Sequence, residues 1–195
     1  MKKNHFYRGG AYTGDTTKKL CKIFFDREGL KNLRCLCFEP DRFNHSICKT
    51  NLEALENKYK GFKSVLFCSG LWDKSSIVSF EEGAETASKV TETNSDGRNT
   101  VEIPVTSVDD IVHELGLQRV TFIKMDIEGS EPNALVGGYL TIQRDHPRLS
   151  ICIYHTDEQV ISIIEWIHDN FPFYSIYVRH YHWSWTECVL YAIER

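Results

Sequence analysis

Val120-Thr121-Phe122-Ile123-Lys124-Met125-Asp126-Ile127-Glu128-Gly129-Ser130-Glu131 reads as a buried strand, then an acidic turn, then the start of a helix. Residues 120–125 are strongly apolar, interrupted by Lys124, with Thr121 near the start. A short apolar run bounded by polar turn residues is the pattern of a strand covered on both faces. Asp126, Glu128 and Gly129 fall at its carboxyl end, and residues 131–144 follow a helical pattern with Gly137-Gly138 as a break. Strand followed by helix is the unit of a parallel sheet, because parallel strands need a crossover connection.

The same alternation repeats on either side. Upstream, residues 5–7 are a very short apolar run ending in Gly9-Gly10, and residues 16–25 read as helix. Residues 33–38 are a strand stopped by Pro40, which has no N–H for a ladder. Asp41 opens a helix to residue 58, with Phe43, Ile47, Leu52 and Leu55 near helical spacing, and residues 64–68 form a third strand. Residues 77–80 and 101–105 are short strand candidates flanking a polar stretch, 82–99. That stretch is expected to be a lid-sized loop or irregular hairpin, an insertion at about 73–100. Ser107 caps a helix ending at Gly116. Downstream lie a strand over 149–154 and a helix running to Asn170, opened by Thr156-Asp157-Glu158-Gln159 in capping-box form. Residues 174–179 and 187–193 are strands joined too closely for a crossover, so they must be antiparallel. The expectation is α/β with a mostly parallel sheet, in one domain over residues 1–195.

Composition narrows the function classes. The chain has 195 residues and a net charge of −4 from 23 Lys/Arg and 27 Asp/Glu. No polybasic block occurs, so nucleic acid and anionic membrane are not expected partners. No apolar run approaches the ~18 residues of a membrane span. No apolar segment follows the basic N-terminus, so no signal peptide is expected. The seven cysteines, an odd number and mostly inside apolar stretches, suit reduced thiols and a cytoplasmic location. Cys35 and Cys37 share one strand face and read as buried small hydrophobes, since no further Cys or His follows at zinc-site spacing.

Ligands of open parallel sheets bind at the carboxyl ends of strands. Four polar clusters fall there. Gly9-Gly10-Ala11-Tyr12-Thr13-Gly14-Asp15-Thr16 is a turn in which glycines allow close approach of the backbone, although it is neither a dinucleotide fingerprint nor a P-loop. Glu39, roughly 25 residues on, ends the next strand, where a carboxylate can accept from ribose hydroxyls. The bland alternatives are a simple strand-to-helix turn and a solvated acid. Asp126 and Glu128 can hold a hydroxyl, act as a base or bind a hard cation, or they are acids complementing a helix dipole. Tyr154-His155 ends the 149–154 strand, and His180-Tyr181-His182-Trp183 forms an aromatic, imidazole-rich tail suited to packing against a carbohydrate-like ligand or to a crowded turn.

In order and spacing, residues 10–16, Phe38-Glu39-Pro40-Asp41, Leu71-Trp72-Asp73, residues 122–131 and residues 147–155 resemble the FkbM-type methyltransferase family over nearly the whole chain. The resemblance implies a Rossmann-like methyltransferase fold with helices on both faces, an antiparallel C-terminal strand and, here, an unusually short first strand. It implies S-adenosylmethionine as cofactor and an EC 2.1.1 O-methyltransferase acting on a hydroxyl of a sugar or similar small molecule or glycan. By that carry-over Gly10, Ala11, Tyr12, Gly14, Asp15, Glu39, Leu71, Trp72 and Asp126 face the cofactor. His155, Asp126 and Glu128 line the reacting side, with His155 the expected base because its ordinary pKa of ~6.5 suits proton transfer near neutrality. Lys124, Tyr154, His180, Tyr181 and Trp183 are expected to hold the acceptor, and a donor already activated requires no metal. Arg8 stands where the family usually has an acid. That departure leaves a second reading, a cofactor-binding but catalytically impaired scaffold or truncated methyltransferase. Oligomeric state is not legible.

Overall fold

The computed structural model describes residues 4–29, 31–81, 90–91, 100–181 and 187–195. Its elements in chain order are β1 (Asn4–Gly9), α1 (Asp15–Cys21, continued by a π-helical turn Lys22–Arg27), β2 (Leu33–Phe38), α2 (Arg42–Lys58), β3 (Phe62–Phe67), β4 (Gly70–Leu71), β5 (Ser76–Glu81), β6 (Val90–Thr91), β7 (Thr100–Thr106), α3 (Val108–Glu114), β8 (Phe122–Met125), α4 (Glu131–Val136), α5 (Tyr139–Asp145), β9 (Arg148–Cys152), α6 (Gln159–Asn170), β10 (Tyr174–His180) and β11 (Cys188–Glu194).

Seven strands form the main sheet in the order β10-β11-β9-β8-β1-β2-β3. All neighbours from β9 to β3 pair in parallel, and only β11 runs antiparallel to both β9 and β10. The first strand is longer than the three apolar residues that marked it. Its six residues pair with β2 from Asn4↔Leu33 to Gly9↔Phe38, and with β8 from Phe6↔Phe122 to Arg8↔Lys124. Parallel pairing makes even polar residues serve as strand backbone, Asn4 against β2 and Arg8 against β2 and β8.

Period two divides β2 between two cores. Leu33, Cys35 and Cys37 point to one face, where they meet Cys21 of α1 and Cys48, Leu52 and Leu55 of α2. Leu36 and Phe38 point to the other, with Ile111 and Val112 of α3, Leu135 of α4, Ile142 of α5, and Ile163 and Ile167 of α6. Helices therefore cover both faces. Each fully buried Leu, Ile or Phe is worth roughly 1.5–3 kcal/mol, so the two layers dominate stability.

The Cys35 and Cys37 sulfurs lie 3.6 Å apart inside the core and all seven cysteines are free. Asp41 caps α2 by accepting from the Asn44 N–H at 2.7 Å, and Ser107 caps α3 by accepting from the Asp110 N–H at 3.0 Å. The expected break between α4 and α5 falls at Gly137-Gly138, where a Cβ on Gly137 would come within 2.1 Å of the Trp72 carbonyl oxygen.

Two local expectations change. The capping box closes only on one side: Thr156 Oγ1 accepts from the Gln159 N–H at 3.3 Å, but the Gln159 side chain donates to the Gly129 carbonyl at 2.7 Å, and α6 begins only at Gln159. Between β3 and α3 a second sheet forms, in the order β4-β7-β5-β6, with β5 and β7 paired antiparallel from Ser76↔Val105 to Glu81↔Thr100. The lid-like loop expected at 82–99 lies outside the described residues except for β6.

Candidate active site at the carboxyl edge of the sheet

The parallel order β9-β8-β1-β2-β3 brings Cys152, Met125, Gly9, Phe38 and Phe67 side by side at one sheet end. Neighbouring strands lie ~4.8 Å apart, so the turns that follow them form one continuous rim. The glycine turn and the acidic turn meet there. Gly10 has φ +69°, and a Cβ on it would sit 1.8 Å from the Asp126 carbonyl oxygen. Only glycine permits both the left-handed backbone and the contact.

Glu39 organises the glycine turn from below. Its carboxylate is 6% exposed and accepts from the Tyr12 N–H at 2.6 Å and the Asp41 N–H at 3.1 Å. The Ala11 N–H donates to the Phe38 carbonyl at 2.9 Å, so the turn is tied to the end of β2 twice. Tyr12, with φ +47°, and Asp15 face solvent, and Gly14 precedes α1 with φ +84°. Leu71 and Ala11, expected beside the cofactor, lie with their side chains in the core. Both are buried, Leu71 beneath Gly9, where a Cβ on Gly9 would meet its Cδ1 at 2.8 Å. Their side chains shape the turn from the core side. Trp72 is half-buried and packs with Ile103 and Val105 of the second sheet. The Arg8 side chain lies outside what is described.

At the end of β8, Asp126 receives the Lys124 ammonium at 3.0 Å on Oδ2 and the Tyr154 hydroxyl at 3.2 Å on Oδ1. Burial alone would raise its pKa, but hydrogen bonding from His155 and the Lys124 charge hold it well below the usual carboxylate range. Burial and the Asp126 charge push the Tyr154 hydroxyl up, so that group is a donor at neutral pH.

His155 is the main correction. Its side chain is only 4% exposed, with Nδ1 3.3 Å from Glu128 Oε2 and Nε2 3.2 Å from Glu131 Oε1 and 3.5 Å from Asp126 Oδ1. A neutral ring would turn a lone pair towards a carboxylate, whereas an imidazolium offers a proton to each side. Burial works against the charge, but the close carboxylates of Asp126, Glu128 and Glu131 prevail and raise the pKa to about 11. The carboxylates on both sides favour the protonated ring, a form with no lone pair with which to act as the expected base.

Sequence reasoning noted Glu131 one turn beyond Glu128 and Gln159 in a capping box but gave neither a role in the site. Glu131 is completely buried and accepts from the Ile127 N–H at 2.7 Å and the Gly129 N–H at 3.0 Å. With Gln159 on the Gly129 carbonyl, it folds the acidic turn, in which Glu128 has φ +54° and Gly129 φ +97°. A helix-start acid looks in sequence like a partner for the helix dipole. The clue was its distance of only three residues from Glu128, on a turn too short to spread three carboxylates apart.

The tail stands apart from this cluster. His180 pairs with Cys188, whose carbonyl accepts from the Ile153 N–H at 3.0 Å, so all three share one level of the sheet. β10 is nevertheless two strands from β9, or about 10 Å across. Tyr181 is exposed, with its hydroxyl 2.7 Å from that of Tyr191 and the Arg179 guanidinium 4.9 Å from its ring centre. Trp183 and His182 lie outside the described residues.

The sequence matches the methyltransferase FkbM domain over residues 9–178, most of the chain. The chain belongs to the FkbM methyltransferase family. None of the curated proteins is a significant match to it. Among solved structures, this FkbM-family chain superposes on methyltransferase FkbM from Methylobacillus flagellatus KT with a TM-score of 0.73 and 24% identity, over 97% of this chain and 43% of that one. The chain thus spans less than half the length of that protein. A candidate rRNA-methylase from Clostridium thermocellum gives 0.59 at 9% identity, covering 100% and 88%, and the delta-N METTL16 MTase domain gives 0.51 at 11%, covering 99% and 73%. At these identities the likeness establishes the Rossmann-like methyltransferase fold. Among the described residues no helix is long and apolar enough to cross a membrane.

Proposed function

We propose that the chain, acting as one domain, is a cytoplasmic S-adenosylmethionine-dependent O-methyltransferase whose acceptor is a hydroxyl of a sugar or similar small molecule. The observation that supports it is the junction of Gly10 with Asp126. It places a glycine turn backed by a strand-end carboxylate, Glu39, directly beside a polar cluster able to orient a hydroxyl. Glu39 also fits the cofactor chemically. A carboxylate is the acceptor that ribose hydroxyls require, and Glu39 holds its carboxylate at the end of β2 beside the glycine turn.

When bound, S-adenosylmethionine supplies an electrophilic sulfonium methyl. The chain's task is then to position the acceptor and receive one proton. The Asp126 carboxylate accepts a hydrogen bond from the acceptor hydroxyl. An acceptor hydroxyl attacking that methyl would become strongly acidic, so Asp126, though a weak base, would suffice to pass its proton to water. Lys124 and Tyr154 keep Asp126 ionised and aimed, while His155 and Glu128 hold the turn. Tyr181 and His180 offer an aromatic and polar shelf for the far side of an acceptor longer than one ring.

The test is transfer of labelled methyl from S-adenosylmethionine to a panel of hexose and deoxysugar glycosides, beside calorimetric titration with S-adenosylhomocysteine. Turnover that falls at least a hundredfold in Asp126→Asn supports the reading. Absence of S-adenosylhomocysteine binding overturns it, and binding without transfer to any acceptor favours the scaffold reading.

A further inference from the structure

The carboxyl edge contains one fully buried acid to which the proposed chemistry gives no task, Glu131. It reaches the site from α4, one element beyond the turn it contacts. Both oxygens are committed, Oε1 to the Ile127 amide and Oε2 to the Gly129 amide, and Oε1 also lies 3.2 Å from His155 Nε2. Nε2 makes no well-aligned hydrogen bond, so this contact is a charge contact between a buried anion and a buried cation. The ring of Tyr154 covers His155 with centroids 4.2 Å apart, and Asp126 and Glu128 complete its surroundings. A buried carboxylate with no cation opposite would be strongly unfavourable, so neither member of the pair is stable without the other.

We infer that Glu131 is a positioning residue that, with the His155 imidazolium as its fixed counter-ion, sets the Asp126–Gly129 turn and through the Gly10 contact also sets the cofactor turn. The pair acts through the backbone. Glu131 orders the amides on either side of Glu128, whose left-handed conformation an unsupported non-glycine residue rarely keeps. Asp126 is immediately upstream, and its carbonyl abuts Gly10. Displacement of one turn must therefore move the other. The functional part of this inference rests on the methyltransferase reading; the ionic part does not.

The experiment separates the two. Ring-nitrogen NMR of the wild-type chain follows His155 from pH 6 to 9, in parallel with Glu131→Gln. Gln retains the size and one acceptor oxygen but removes the charge. The expected result is a wild-type ring protonated at both nitrogens throughout, and a ring in Glu131→Gln that loses a proton within that range. Amide hydrogen exchange should quicken at Ile127 and Gly129 while the core strands stay protected. S-adenosylhomocysteine affinity should fall about tenfold, as loss of charge-assisted bonds commonly causes. If Glu131→Gln does not fold, the wild-type spectrum still decides the ionic part, and His155→Gln replaces it for the exchange and affinity measurements. A neutral wild-type ring at pH 8 overturns the ionic strut. Unchanged exchange at Ile127 and Gly129 in a folded variant overturns the positioning role. Failure of the wild type to bind S-adenosylhomocysteine counts against the methyltransferase reading alone.

Discussion

Glu39 occupies two backbone amides of different segments at once, one in the glycine turn and one at the start of α2. Its removal should therefore be felt by ligand and fold together. Glu39→Ala is expected to weaken S-adenosylhomocysteine binding at least tenfold by calorimetry, because bonds to a charged acceptor are worth about 1.5–3 kcal/mol each. Glu39→Gln, which keeps an acceptor, should lose less. His155 makes a different residue-scale prediction. Its folded pKa is raised to about 11 from an ordinary 6.5, so its contribution to stability is complete below pH 6.5 and is lost as pH rises towards 11. The melting-temperature gap between wild type and His155→Gln should be widest near pH 6 and narrow steadily to pH 10. A gap that widened with pH would mean that the ring is neutral in the fold. Asp126, Tyr154 and His155 were legible as candidates because polar residues ending apolar runs stand out. The protonation state of His155 was not, since it depends on Glu131, which belongs to the next helix and meets the ring only in three dimensions.

At the scale of elements, local signals carried far. The bounds of β2 follow from its apolar run and Pro40, and α2 from its cap at Asp41. That cap gives a direct check: Asp41→Ala should cost about 1 kcal/mol in denaturant unfolding, a typical loss for a helix N-cap. The turn between β1 and α1 is more demanding. Gly10→Ala adds a methyl group that the Asp126 carbonyl already blocks, on a backbone with positive φ. We expect a loss on the order of 1–3 kcal/mol, with weaker cofactor binding even where the variant remains folded. Elements set by pairing partners rather than local pattern were harder to read. β4 has only two residues and exists because Gly70 and Leu71 pair with Val105 and Thr106, more than thirty positions away. β1 gains its polar first residues from the β2 ladder alone and Arg8 from ladders on both sides.

In the whole molecule, α1 and α2 cover a sheet face built with unusual chemistry for a core layer. Cys21, Cys35, Cys37 and Cys48 are all buried between those helices and β2, whereas Cys68 is exposed at the end of β3. Burial raises the Cys21 thiol to about 12, further suppressing the reactive thiolate. The protein thus contains its own clock for opening. A thiol-reactive dye should label Cys68 at once and the four interior positions only as fast as this layer separates. With saturating dye, their labelling rate reports that opening, and a ligand that binds only the closed form should slow it without altering the Cys68 reaction.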